Sequence, residues 1–165
     1  TGVQTCALPI YTDVPHAVAG DPYIPTSIIV VNIPVVDMNA GNGAIQLWPT
    51  THLDTTYGGD TDGIVQPDDL ARFQDTHPPF QPAVKAGTIL MRDMRLWHAG
   101  MPNPSTNPRP MIAMMLWEAS AKTFGGIEIP ARSESFFQNR RIETELVIVP
   151  DSKFDHIRHG ESYGV

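Results

Sequence analysis

The chain is poor in cysteine, in basic residues and in long apolar runs, and each shortage removes a class of function. A single cysteine, Cys6, among 165 residues cannot build an internal disulfide framework. It fits a reducing compartment, so a cytoplasmic location is expected. Eleven Lys and Arg stand against eighteen Asp and Glu, for a formal charge of −7. Nucleic-acid binding needs clustered cations to displace counterions, so no nucleic-acid partner is expected and a small-molecule substrate is. No apolar run approaches the roughly 20 residues that cross a bilayer, which argues against a membrane partner.

What the chain has instead is punctuation: sixteen prolines and thirteen glycines, scattered rather than clustered. They mark the ends of short elements and suit an all-β domain with many turns. A chain this long buries about 70% of its extended surface as one domain. The β-branched segment Thr26 to Met38 predicts a strand or two, with Pro34 at a bulge or edge. Asn39 to Gly43 is a turn signal before a short strand from Ala44 to Trp48. Residues Leu53 to Pro82 are expected to form a polar, mostly irregular insertion over one mouth of the barrel. Within it, Pro67 to Gln74 predicts a short helix, with proline in the first turn and two acids at its positive end. Further strands are expected at Thr88 to Arg92, around Arg95 to His98, at Met111 to Trp117 and at Leu146 to Val149. Residues from Asp151 onward are expected to fray.

The first ten residues, TGVQTCALPI, resemble the in-frame translation of a common sequencing adaptor. Residues 1–10 are therefore expected to be a non-native segment, and residues 11–165 the C-terminal part of one domain that extends further upstream. On that reading Cys6 carries no biological information.

The chemistry centres on the segment from Gly87 to Arg109. A histidine, His98, stands at the mouth of a strand; a loop rich in Pro and Asn follows, and Arg109 opens the next strand. Such an order can hold a metal beside an anionic ligand. Non-haem Fe(II) oxygenases use two histidines and one carboxylate on one face of the ion. They commonly take one histidine and the carboxylate from His-x-Asp, because residues i and i+2 of a strand point the same way, and the second histidine from far downstream. Asp13 supplies a carboxylate here, but Tyr11 stands where that histidine belongs.

The chain resembles the phytanoyl-CoA dioxygenase family over about residues 12 to 118. The likeness rests on Asp13, on Asn42-Gly43-Ala44 through Trp48-Pro49-Thr50-Thr51-His52, and on Leu96-Trp97-His98 with Asn103 and Arg109. Thr50 replaces the glycine of the family's Pro-Gly-Ser-His segment. The resemblance implies a double-stranded β-helix, the cupin-like jelly roll, incomplete at its N-terminus. It implies Fe(II), O2 and 2-oxoglutarate as cofactor and cosubstrates, with conversion of 2-oxoglutarate to succinate coupled to hydroxylation or another oxidation of a small organic molecule. It makes Asp13 and His98 iron ligands, with position 11 for the expected histidine. Arg109 would pair with the distal carboxylate of 2-oxoglutarate, and Asn32 would line that pocket. Retention of Asp13 argues against the halogenating variants, which lose this carboxylate.

Other residues have plainer readings. His16, His52 and His77 fit exposed loops, although Asp13-x-x-His16 would offer a second ligand if a turn brought the two together. Trp48, Trp97, Met91, Met94, Met101, Met114 and Met115 fit either a substrate pocket or the core. Asp60, Asp62, Asp68 and Asp69 fit solvated surface. Two alternatives to the enzyme are a non-catalytic cupin-like binding protein and a chain left inert by its missing strands and missing ligand.

Overall fold

The computed structural model describes residues 8–14, 26–54, 63–119, 127–137, 144 and 146–154. Cys6, His16, Asp60 and Asp62 lie outside them. The chain divides into two compact units, residues 1–121 and 122–165.

The first unit is built from antiparallel strands. Strand β1 (Ile28–Pro34) lies at the centre of one sheet, between β3 (Leu90–Asp93) and β5 (Met111–Trp117). The register pairs Val30 with Arg92 and Met115, and Asn32 with Leu90 and Ala113. Directly opposed residues share a face, so one face of this sheet carries Val30, Asn32, Arg92 and Leu90. Val30 and Asn32 are buried there. The opposite face shows Ile29, Met91 and Met114 to solvent. The expectation that Met91 and Met114 line a pocket or fill a core therefore does not hold: strand parity turns both away from the face that carries Asn32.

A second ladder pairs β2 (Gln46–Leu47) with β4 (His98–Ala99). It continues on both sides through single bridges. Leu47 exchanges backbone bonds with Phe80 on one side, and Tyr11 exchanges them with His98 on the other. Beyond Tyr11 the ladder reaches Gly63, Ile64 and Val65, through Thr12 N–H to Gly63 carbonyl and Val65 N–H to Ile10 carbonyl, both 2.9 Å. Gly63 has φ +74, and a Cβ there would stand 2.7 Å from the Thr12 carbonyl oxygen, so only glycine permits this approach. Leu8 and Ile10 join this ladder through backbone groups, which any sequence could supply.

The helix α1 (Pro67–Gln74) has the bounds its sequence predicts, with Pro67 at the first turn and Asp68 and Asp69 beside it. Leu70 and Phe73, three apart on one side, pack on the buried cluster of Trp48, Val65 and Trp97. Asp69 is not merely solvated: it pairs with Arg72 at 2.8 Å. The insertion is thus tied to the domain by a helix and by the bridges at Ile64 and Phe80. A second cluster, Met38, Ala44 and Ile45, gathers Leu47, Val84, Leu90 and Met111. The tryptophans serve as core, Trp97 with 0% and Trp48 with 4% of its surface exposed.

Several expected strands are shorter than their apolar runs. Ala44 to Trp48 yields only Gln46–Leu47, and the strand expected around Arg95 to His98 begins at His98. The second is delayed by a tight turn at Asp93, whose carboxylate accepts the Arg95 backbone N–H at 2.8 Å while its carbonyl accepts the Leu96 N–H at 3.1 Å. In the second unit β6 (Ile127–Pro130) and β7 (Leu146–Val149) pair in parallel, and α2 (Glu134–Phe137) lies between them in sequence. Among the described residues no helix is long and apolar enough to cross a membrane.

Candidate metal centre

Tyr11 and His98 exchange both backbone hydrogen bonds, each 2.9 Å, which puts their side chains on one face of the ladder. Their ring centroids are 4.2 Å apart. Asp13, two residues on, follows Tyr11 to the same face, and its N–H bonds the Met94 carbonyl at 3.2 Å. The sequence-predicted pair therefore meets: Oδ1 of Asp13 lies 3.5 Å from Nε2 of His98.

His98 is fixed from behind. Its side chain is 1% exposed, and Nδ1 lies 2.8 Å from the Leu96 carbonyl oxygen. A carbonyl can only accept, so Nδ1 carries a proton and Nε2 is the nitrogen turned toward Asp13. Whenever Nε2 is unprotonated its lone pair faces the carboxylate oxygen, an arrangement that a cation or a proton between them relieves. Two donors each about 2.1 Å from a shared ion lie roughly 3.0–3.5 Å apart, so the pair fits a first-row metal with little movement. Among the described residues no three His, Cys, Asp or Glu side chains cluster. Tyr11 is the third side chain turned to this face.

Asp13 is held on its far side as well. Arg92 Nη1 donates to Oδ2 at 2.7 Å, and Arg92 Nε to Oδ1 of Asn32 at 3.4 Å. Burial alone would raise the Asp13 carboxyl, but the hydrogen bond from His98 and the charge and hydrogen bond of Arg92 outweigh it. Its pKa therefore falls below the ordinary 3.8. Sequence reasoning did not find Arg92, whose partner lies 79 residues away.

Arg109 stands two residues before Met111, which opens β5 opposite Pro34. Its contact is soft, Nη1 to the Met38 sulfur at 3.7 Å, and its buried Nε has no hydrogen-bond partner. Among the described residues no carboxylate pairs with it. Burial pushes its guanidinium below the usual arginine range. A half-buried cation with free donors is a site for an anion that the protein does not itself supply. The loop before it is organised by Asn103, whose Oδ1 accepts Ser105 N–H and whose Nδ2 donates to the Asn107 carbonyl. Gly43 permits that loop to approach, since a Cβ there would stand 2.9 Å from the Pro102 carbonyl oxygen.

Among the described residues the other two histidines do not join this pair in a cluster of three ligand-type side chains. His77 is exposed and touches Thr76, and His52 sits in the 3-10 turn Thr51–Leu53, where its charge acts on Asp93. Thr50, in place of the family's glycine, has φ 66 and ψ −9, the left-handed region that a β-branched residue resists.

Residues 11–111 match the phytanoyl-CoA dioxygenase family. The chain belongs to that family. Solved structures with the same fold include AviO1 from Streptomyces viridochromogenes, at 20% identity and TM-score 0.52, covering 73% of this chain and 48% of that one. They include EctD from S. alaskensis with 2-oxoglutarate and 5-hydroxyectoine, at 21% identity and TM-score 0.55, covering 69% of this chain and 39% of that one. EctD with bound Fe aligns at 19% identity and TM-score 0.55, covering 69% and 40%. This chain thus spans less than half the length of these proteins. The jelly-roll class expected from the sequence is the fold of this family chain.

Proposed function

We propose that the protein is the metal-binding part of an Fe(II)- and 2-oxoglutarate-dependent dioxygenase that hydroxylates or otherwise oxidises a small organic substrate. The observation that carries this reading is the convergence of Asp13 Oδ1 and His98 Nε2 at 3.5 Å on one face of a strand pair, within a chain of this family. EctD, a protein of the same fold, has been solved with Fe and with 2-oxoglutarate. When bound, iron would supply O2 activation coupled to oxidative decarboxylation of 2-oxoglutarate to succinate.

The chain's own residues do the positioning. His98 offers Nε2 because Leu96 holds the Nδ1 proton. Asp13 brings a carboxylate that is ionised at any pH near neutrality. Arg109 receives the distal carboxylate of 2-oxoglutarate, whose two oxygens match a guanidinium fork. Asn32, buried on the face that Ala113 shares, lines the same pocket. Tyr11 fills the corner where a histidine completes the triad. A phenol with pKa near 10 favours ferric over ferrous iron, so the chain with Tyr11 binds Fe(II) weakly and turns over slowly or not at all. Residues 1–10 are then the adaptor scar, and residues 11–165 part of one oxygenase domain.

The test is succinate formation from 2-oxoglutarate in a full-length protein carrying these residues. Iron-dependent succinate that disappears in His98→Ala supports the reading. Succinate undiminished in that variant, or a protein that binds a small molecule and makes none, supports the non-catalytic alternative instead.

A further inference from the structure

We infer that Arg92 is a positioning residue for the metal centre: its guanidinium holds Oδ2 of Asp13, so that the carboxylate offers a cation one oxygen and not two. The inference rests on the reading of Asp13 and His98 as ligands. Arg92 comes from β3 in one sheet, whereas Asp13 comes from the segment paired with β4 in the other ladder. Its side chain is 11% exposed, and the register Val30 to Arg92 turns it to the buried face. Nη1 grips Oδ2 at 2.7 Å, a charge-assisted bond, while Asn32 Oδ1 lies 3.4 Å from Nε. The plane of the guanidinium is thereby fixed from two sides. The neighbouring Arg95 is committed to Asp93 through Nε at 3.0 Å and Nη2 at 2.7 Å, so the two arginines do not exchange carboxylates.

The consequence concerns the count of free metal positions. A six-coordinate ion with three protein donors keeps three positions, which a bidentate keto acid and O2 fill between them. A carboxylate turned bidentate would take one of the three. With Oδ2 committed to Arg92, only Oδ1 faces Nε2 of His98. Asn32 then acts on Asp13 through Arg92, besides any contact with a cosubstrate. A lysine could not take over this task, since a point charge cannot hold Asp13 and Asn32 in one plane.

Mn(II) is the probe, titrated into the whole chain and its Tyr11→His form by electron paramagnetic resonance, with water-proton relaxation counting the waters left on the ion. Arg92→Met is expected to weaken Mn(II) by about 10- to 100-fold, the usual cost of losing an outer partner of a ligand, and to leave one water fewer. Arg92→Lys should fall between, and Asp13→Ala should abolish specific binding. If Asp13→Ala binds Mn(II) as well as its parent, or neither parent binds, the site itself is wrong. If Asp13→Ala loses the metal but Arg92→Met keeps the parental affinity and water count, the clamp alone is wrong. Should Arg92→Met fail to fold, Arg92→Lys decides, and parental values there overturn the inference.

Discussion

The hydroxyl of Thr51 accepts the Trp97 backbone N–H at 3.0 Å and donates to the Trp48 carbonyl at 2.8 Å, from a side chain with no exposed surface. One hydroxyl thus ties the Trp48-Pro49-Thr50 turn to the residue that precedes His98. Thr51→Val keeps the shape and removes both bonds, leaving a buried N–H and a buried carbonyl short of a partner. A loss of about 1–3 kcal/mol is expected in denaturant unfolding, and a smaller one would mean that neighbouring groups replace the hydroxyl.

Thr50, next to it, should respond in the opposite direction. At φ 66 it pays about 1–2 kcal/mol for a left-handed conformation, and its buried Oγ1 has no hydrogen-bond partner. Thr50→Gly relieves the backbone and costs roughly 0.5–1 kcal/mol of extra freedom in the unfolded chain. A net gain of about 0.5–1 kcal/mol is expected, visible as a raised denaturant midpoint. A lower midpoint would show that the threonine methyl packs more than the backbone resents.

Asp93 gives the pH dependence. Burial would raise its carboxyl, but the bonds from Arg95, then the charges of Arg95 and His52, bring it below 3.8. A group depressed on folding stabilises the fold above its unfolded value, and the contribution is lost as pH falls through the folded value. The Asp93 and Arg95 side chains are 8% and 11% exposed, so Asp93→Asn should cost about 3 kcal/mol at pH 7. The gap between the variant and its parent should narrow as pH drops below about 4. A gap that stays constant from pH 7 to pH 3 would mean that the ion pair carries no net stability.

Most of what the sequence made legible was local. Met111 to Trp117 and Pro67 to Gln74 form with the bounds that an unbroken apolar run and a proline-started helix dictate. The approach of Asp13 to His98 was legible through strand parity and family spacing. The turn at Asp93 was not, because its signal is one side chain bonding the backbone two residues on, between two segments that both read as strand. Arg92 and Thr51 stayed invisible for a different reason: their partners lie 79 and 46 residues away, and no local pattern encodes a non-local pairing. Met91 misled because an apolar residue in a strand reads the same on either face, and here 71% of it is exposed.

Arg109 should matter to the cosubstrate and not to the metal. Its soft contact with Met38 leaves its fork free for a carboxylate. In a full-length protein Arg109→Ala removes a charge-assisted pair, worth about 2 kcal/mol or more, which raises the 2-oxoglutarate requirement roughly 30-fold or further. Metal affinity should change little. An unchanged KM for 2-oxoglutarate would remove Arg109 from the site.

The last prediction is that a histidine belongs at position 11. If residues 1–10 are that adaptor's translation, it ends in this frame one base into the following codon, and the first base of codon 11 would be adaptor T whatever the gene contains. Tyr and His codons differ only at that base, and a native CAY would be recorded as TAY. The geometry agrees with the substitution, because Tyr11 shares a face with Asp13 and its ring lies 4.2 Å from that of His98. A shorter imidazole there would bring a third nitrogen or oxygen donor to the pair already set at 3.5 Å. Tyr11→His should therefore strengthen Mn(II) or Fe(II) binding by the chain, and in a full-length protein should give iron-dependent succinate. Re-amplifying the source gene across this junction decides the provenance: a His codon preceded by new upstream residues supports the prediction, and a Tyr codon in uninterrupted native sequence overturns it. Metal affinity that is the same in the Tyr11→His variant as in its parent would separately remove position 11 from the coordination sphere, whatever the gene encodes.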